Sequence, residues 1–206
     1  SRRFWTNRKE IIAGEDAKRA DREFAAGVAR TNSAVITAMA KRLMSALPGA
    51  RILGFSTWSQ NVSLSVNLAE YIKKNYRSPF IVMGGHAAKN CIDTPAAEFI
   101  DAIVSGEGEN AIIGIADYLS GKRTTPAPGT AIYRGKKWHT GGPAREIPDL
   151  DSLPFPDFSI ENKYFIEGKN ILPLPSATHR TDYSIMTLRG CPFSCEFCDV
   201  TELYGR

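Results

Sequence analysis

Apolar positions recur every three to four residues in some stretches of this chain and form short unbroken runs in others, and the two patterns alternate. Over residues 33–47, Val35, Ile36, Met39, Leu43 and Met44 share one face, which predicts a helix ended by Pro48-Gly49. The run Arg51-Ile-Leu-Gly-Phe-Ser56 predicts a buried strand. After a polar loop at 57–61, a second helix is expected over 62–76, with Val66, Ala69 and Ile72 inward. Pro79-Phe-Ile-Val-Met83 predicts a second strand, closed by Gly84-Gly85-His86. Thr94 as N-cap, Pro95 at the first helical position and Glu98 in the first turn predict a short helix. Ala102-Ile-Val104 predicts a third strand, and Ser105-Gly-Glu-Gly-Glu109 opens a helix through Leu119. Residues 1–32, rich in charge and alanine, show no clear period.

Strands that are apolar throughout, separated by helices, define an α/β class: a Rossmann-like (flavodoxin-like) parallel sheet with helices on both faces. Ligands of such sheets sit beyond the carboxyl ends of the strands. The loops at 56–61, 84–90 and 105–109 fall at those ends, so one sheet edge is the expected site. The character changes at Gly121. A hairpin is expected over 130–139, with Ile132 and Tyr133 facing Trp138 across Arg134-Gly135-Lys136. Residues 140–182 are proline-rich and read as an ordered, extended linker. Trp138 and the Phe155/Phe158 pair are expected to pack as core. A strand over 183–188 then delivers the chain to Arg189-Gly190-Cys191. The expected division is therefore 1–120, a sheet domain lacking its first strand; 121–182, hairpin and linker; and 183–206, the start of a further domain.

Composition changes this picture little. The 206 residues are 43% hydrophobic and 23% charged, ordinary for a globular protein. The net charge of +4 is mild and spread along the chain, giving no reason to expect nucleic acid as a partner. No apolar run approaches the roughly 20 residues that span a bilayer, so no transmembrane segment is expected. The first residues, Ser-Arg-Arg-Phe-Trp, are not followed by the apolar region of a signal peptide. A cytoplasmic protein, trimmed or a piece of a longer one, is the expectation.

The cysteines alter it more. Three of the four lie within Cys191-Pro-Phe-Ser-Cys195-Glu-Phe-Cys198, a C-x3-C-x2-C pattern. A disulfide framework would be spread along the chain, whereas this clustering suits metal ligation in a reducing compartment. Thiolates are the ligands of iron–sulfur clusters, and three on one loop can hold three corners of a cubane. The fourth iron then keeps an open position for a substrate. A structural zinc site is the alternative. Zinc wants four ligands, of which only His179 is a conceivable fourth. Cys91 stands alone and is expected to be a plain buried or loop thiol.

This segment resembles the radical SAM enzymes. The resemblance implies that Cys191, Cys195 and Cys198 hold a [4Fe-4S] cluster whose open iron binds S-adenosylmethionine, with Phe197 near its adenine. One electron from the cluster then gives a 5′-deoxyadenosyl radical. The preceding strand and Gly190 match the entry to the family's (β/α) barrel, which needs roughly 200 residues; only its first strand and cluster loop are expected here. Residues 33–120 resemble the cobalamin-binding domain found upstream of many radical SAM domains, on Gly54-Phe-Ser56, Gly84-Gly85 and Gly106-Glu-Gly-Glu109. That likeness implies cobalamin contacts from Ser56, Thr57, Gly84, Gly85, His86, Gly106, Glu107, Gly108 and Glu109. Glycines would let backbone approach the flat corrin, with Ser56 or Thr57 bonding its amide arms. The Asp-x-His-x-x-Gly motif, whose His ligates cobalt in other cobalamin domains, is absent, and His86 is expected to be a loop histidine bonded to neighbouring backbone. Each glycine alone equally suits a tight turn, and Glu107 and Glu109 equally suit a helix N-terminus.

The implied function is that of the N-terminal part of a cobalamin-dependent radical SAM enzyme, inactive alone, which methylates an unactivated carbon or catalyses a related cyclisation or rearrangement. The expected partners are a small-molecule or lipid substrate and an external electron donor of flavodoxin or ferredoxin type. Residues 199–206 resemble members that act on lipids such as hopanoids. Two alternatives stay open: a radical SAM enzyme whose first domain is a cobalamin-free scaffold, and a non-catalytic binding module with a structural metal site.

Overall fold

The computed structural model describes residues 33–76, 79–157, 188–193 and 195. Helix α1 spans Ser33–Ala46, strand β1 Ile52–Ser56, helix α2 Val62–Asn75, β2 Phe80–Gly84, β3 Ala102–Val104, helix α3 Gly108–Leu119, β4 Thr130–Arg134 and β5 Lys137–Thr140. The strands form one sheet in the order β1-β2-β3-β4-β5. β1, β2 and β3 pair in parallel, while β4 and β5 add two antiparallel strands. The α/β class holds, and the hairpin extends the sheet past residue 120.

Alternation along the strands divides the core between the two faces. On one face Leu53, Ile81, Met83 and Ile103 pack with Ile36, Met39 and Ala40 of α1 and Val66, Ala69 and Ile72 of α2. On the other, Val82, Ala102, Val104 and Ile132 pack with Ala111 and Ile115 of α3. Both faces are covered, which is why the central strands read as continuous apolar runs. At the edge away from the strands' carboxyl ends, Asp101 accepts from Ile81 N–H (2.6 Å) and from Lys73 Nζ (2.5 Å), tying α2 to the sheet.

Several expectations change in detail. Val35, placed with the core, is 43% exposed, because Ile36, Met39 and Ala40 carry the buried face of α1. The helix after Thr94 is a single 3-10 turn over Pro95–Phe99, and Thr94 makes no side-chain cap; its hydroxyl donates back to Cys91 O at 3.0 Å. In the hairpin, Tyr133 pairs with Trp138 but Ile132 pairs with His139, and Arg134 pairs with Lys137. The turn is therefore two residues, Gly135 and Lys136, both at φ 61°, the left-handed pair that suits the twist of a hairpin. Trp138 does pack against the core, and its indole N–H donates to Ile92 O at 3.0 Å. Phe155 does not: it is 82% exposed, held off the sheet between Pro154 and Pro156. Residues 158–187, with Phe158, His179 and most of the expected strand over 183–188, lie outside the described residues, as do 1–32, Phe197 and Cys198.

Candidate functional site

Because β1, β2 and β3 run parallel, Ser56, Gly84 and Val104 end on the same side of the sheet. The three loops expected there are brought together, and each is held by identifiable bonds. The first is closed by Asn61, whose side-chain oxygen accepts from Trp58 N–H (2.7 Å) and whose amide donates to Ser56 O (3.0 Å). Thr57, expected to face a ligand, has a different job. It is fully buried, and both its N–H (2.7 Å) and its hydroxyl (2.9 Å) donate to Gly84 O. Its carbonyl accepts from Ala87 N–H at 3.2 Å. Thr57 thus ties the first loop to the second.

The glycines also act within the chain. Gly85 sits at φ +90°, and a Cβ there would lie 2.6 Å from Thr57 O. Gly106, at φ +80°, would bring a Cβ to 2.7 Å from the Cβ of Ala144. Close packing of loop on loop therefore accounts for both. Open groups on the edge include Ser56, Trp58, Gly85, Gly106 and Gly108: Ser56 and the three glycines are exposed, and Trp58 is 51% exposed with its ring 6.0 Å from the half-buried ring of His86. Exposed backbone beside a half-exposed aromatic suits a broad flat ligand.

The acidic loop carries the least expected feature. Arg189, two residues before Cys191, inserts its guanidinium between Glu107 and Glu109. Nη1 donates to Glu107 Oε1 at 2.9 Å, and Nη2 donates to Glu109 Oε1. Glu107 Oε2 accepts from Ile147 N–H at 2.5 Å, so both its oxygens are engaged. Glu107 is the N-cap residue of α3 and Glu109 lies in its first turn, where negative charge is favoured. The Arg189 hydrogen bond holds the Glu109 carboxyl below its ordinary range, against the opposing effect of partial burial, and the two carboxylates push the guanidinium pKa up. Glu109 Oε2 is buried and has no hydrogen-bond partner among the described residues.

The sequence reading named Glu107 and Glu109 but missed Arg189 and Trp58. The signal for Arg189 was an acidic pair with no cation near it in sequence, and an arginine at the mouth of the cysteine loop. Trp58 was a lone aromatic in an otherwise polar loop.

Of the cysteine triad, Cys191 is half-buried and Cys195 exposed, both free thiols, and Cys198 lies outside the described residues. Free surface thiols are the donor set an iron–sulfur cluster needs. Among the described residues no three His, Cys, Asp or Glu side chains gather as a metal site, and no helix is long and apolar enough to cross a membrane.

Together these features define an open-sheet α/β domain whose strand-end loops are bonded to the start of a cysteine loop. No protein-family model matches the chain. Over 160 residues, 72% of this chain, it is 29% identical to the cobalamin-dependent radical SAM methyltransferase TokK of Streptomyces tokunonensis, of which the match covers 22%. Over 153 residues (71% of this chain) it is 29% identical to the hopanoid C-3 methylase of Methylococcus capsulatus, with 27% of that protein covered. An uncharacterized methyltransferase of Pyrococcus horikoshii is 28% identical over 160 residues, 75% of this chain and 32% of the relative. The chain is thus a relative of proteins named as methyltransferases or methylases, one of them a cobalamin-dependent radical SAM methyltransferase, and spans no more than 32% of the length of these three.

Proposed function

We propose that this chain is the cobalamin-binding region and cluster loop of a radical SAM methyltransferase acting on an unactivated carbon of a small molecule or lipid. Cys191, Cys195 and Cys198 would hold the [4Fe-4S] cluster, and the edge lined by Ser56, Trp58, His86 and Gly108 would face the corrin. When bound, the cluster supplies the electron that divides S-adenosylmethionine into methionine and a 5′-deoxyadenosyl radical, and the corrin carries the methyl group. The chain's own residues bind and orient. The thiolates leave one iron open, while Thr57, Gly85 and Gly106 hold the strand-end loops in one rigid rim. The observation that carries the reading is the bond from Arg189 to the acidic loop, which brings the cysteine loop and the sheet edge within one contact of each other.

A second reading, in which the sheet is a scaffold without cobalamin, draws on the same loops. The Thr57 hydroxyl and both Glu107 oxygens are engaged within the chain, and the chain's own atoms fill the space beside Gly85 and Gly106. One experiment separates the two. The complete gene product is expressed anaerobically with cobalamin supplied, and its iron and corrin are counted. Iron lost on changing all three cysteines to Ala, with close to one corrin per chain, is the expected result. Iron without corrin selects the scaffold. Zinc without iron removes both.

A further inference from the structure

We propose that Arg189 is a positioning residue: its fork on Glu107 and Glu109 sets the register of the cysteine loop against the strand-end edge. The inference rests on the reading above, that the cysteines hold a metal cluster beside a second cofactor site, and adds the device that fixes their spacing.

The geometry is specific. Arg189 reaches across 82 residues of chain to Glu107 and 80 to Glu109. The Arg189 and Glu107 side chains are only 18% and 6% exposed, so the contact is largely withdrawn from water. A planar guanidinium can donate in two directions at once with fixed angles, which a lysine ammonium cannot reproduce. One of the acceptors is itself anchored. Glu107 is held by Ile147 N–H, and the loop that bears it packs through Gly106 onto Ala144. From this anchor the chain needs only Gly190, at φ +83°, to reach Cys191, which keeps the Cα that bears the first thiol within about 7 Å of the Arg189 Cα. A displaced fork would therefore displace the first cluster ligand.

The test uses the complete gene product and four variants: Arg189→Ala, Arg189→Lys, Glu107→Gln with Glu109→Gln, and Arg189→Ala combined with both glutamine changes. In metal-free protein, hydrogen exchange is followed at the amides of residues 107–109, 189–191 and 193. In reconstituted protein, iron loss to a chelator is timed, and the paramagnetic spectrum of the reduced cluster is recorded with and without S-adenosylmethionine. Arg189→Ala and the double glutamine variant should each speed local exchange and iron loss about tenfold. The combined variant should do no more than either, because all break one contact. Arg189→Lys, which keeps the charge but not the fork, should slow iron loss back toward the wild-type rate while leaving an altered spectrum. Wild-type exchange and iron loss in Arg189→Ala, or effects that simply add, would overturn the proposal. A wild-type protein with no iron refutes the functional reading instead, and the metal-free exchange comparison still decides whether Arg189 sets the loop.

Discussion

Arg189 meets Glu107 at 2.9 Å although 82 residues separate them in the chain. Neither side chain would be stable at this depth alone, since a buried charge without its partner is strongly destabilising. Each is held by more than the other: Glu107 also accepts from Ile147 N–H, and Arg189 also donates to Glu109. The consequence is topological. The strand-end edge of the sheet and the approach to Cys191 become one structural unit, with the acidic loop as the joint.

That joint should be visible in the titration of Glu109. The Arg189 hydrogen bond lowers its pKa in the folded chain from the ordinary value of 4.5. A depressed folded value means that the stabilisation is present above 4.5 and is lost as pH falls through the lower folded value. Carbon-13 NMR of metal-free protein should show the Glu109 carboxyl titrating below 4.5, and returning toward 4.5 in Arg189→Ala. An ordinary titration in the wild type would mean that the fork does not form in solution.

Thr57 is expected to matter for stability more than for ligand contact. Its hydroxyl is buried and donates to Gly84 O at 2.9 Å. Thr57→Val keeps the shape and removes the donor, which should cost about 1 kcal/mol in urea unfolding. An unchanged unfolding midpoint together with weakened corrin binding would return Thr57 to the ligand-facing role read from the sequence.

Two adjacent glycines should behave differently. Gly85 has positive φ, and an added Cβ would meet Thr57 O at 2.6 Å, a backbone atom that cannot rotate away. Gly84→Ala places its Cβ 3.6 Å from the Cβ of Val104, an ordinary contact. Gly85→Ala should therefore lose about 2 kcal/mol or more, through strain and overpacking, while Gly84→Ala should lose less than about 1 kcal/mol. Equal losses in denaturant titrations would contradict this account of the loop.

Much of this architecture was legible in the sequence because burial on both faces leaves an unbroken apolar run in each central strand. Val66, Ala69 and Ile72 are buried where the helical period puts them. The misplacements are local. Val35 lies at the margin of an apolar stripe, where one residue's rotation decides between core and solvent. The hairpin turn was read as three residues because nothing marks Lys136 as able to adopt φ 61°. The site was less legible for a different reason. Glycine spacing places the loops on one edge, but it does not say whether the space beside each glycine is left for a ligand or filled by the chain. At Gly85 and Gly106 the chain fills it. Nor can spacing pair Arg189 with a loop 80 residues earlier, since that pairing depends on the path of the intervening chain.

The cysteines offer the sharpest chemical contrast. Cys91 is completely buried within the core formed by α1, α2 and the sheet, and burial pushes its thiol up to about 11. The thiolate is the reactive form, so at pH 8 only about one molecule in a thousand carries it, and that one is shielded from solvent. Cys195, by contrast, is exposed, and Cys191 is partly so. Iodoacetamide added to metal-free folded protein at pH 8 should label Cys191 and Cys195 and leave Cys91 unmodified, as read by mass spectrometry of tryptic peptides. Unfolding in urea should bring Cys91 to the reactivity of the others. Because the raised pKa favours the protonated thiol in the folded state, raising the pH toward 11 should weaken the fold at Cys91, and Cys91→Ala should lose that dependence. Labelling of Cys91 at the same rate as Cys195 in the native protein would show that the core packing described for this helix–sheet interface is wrong.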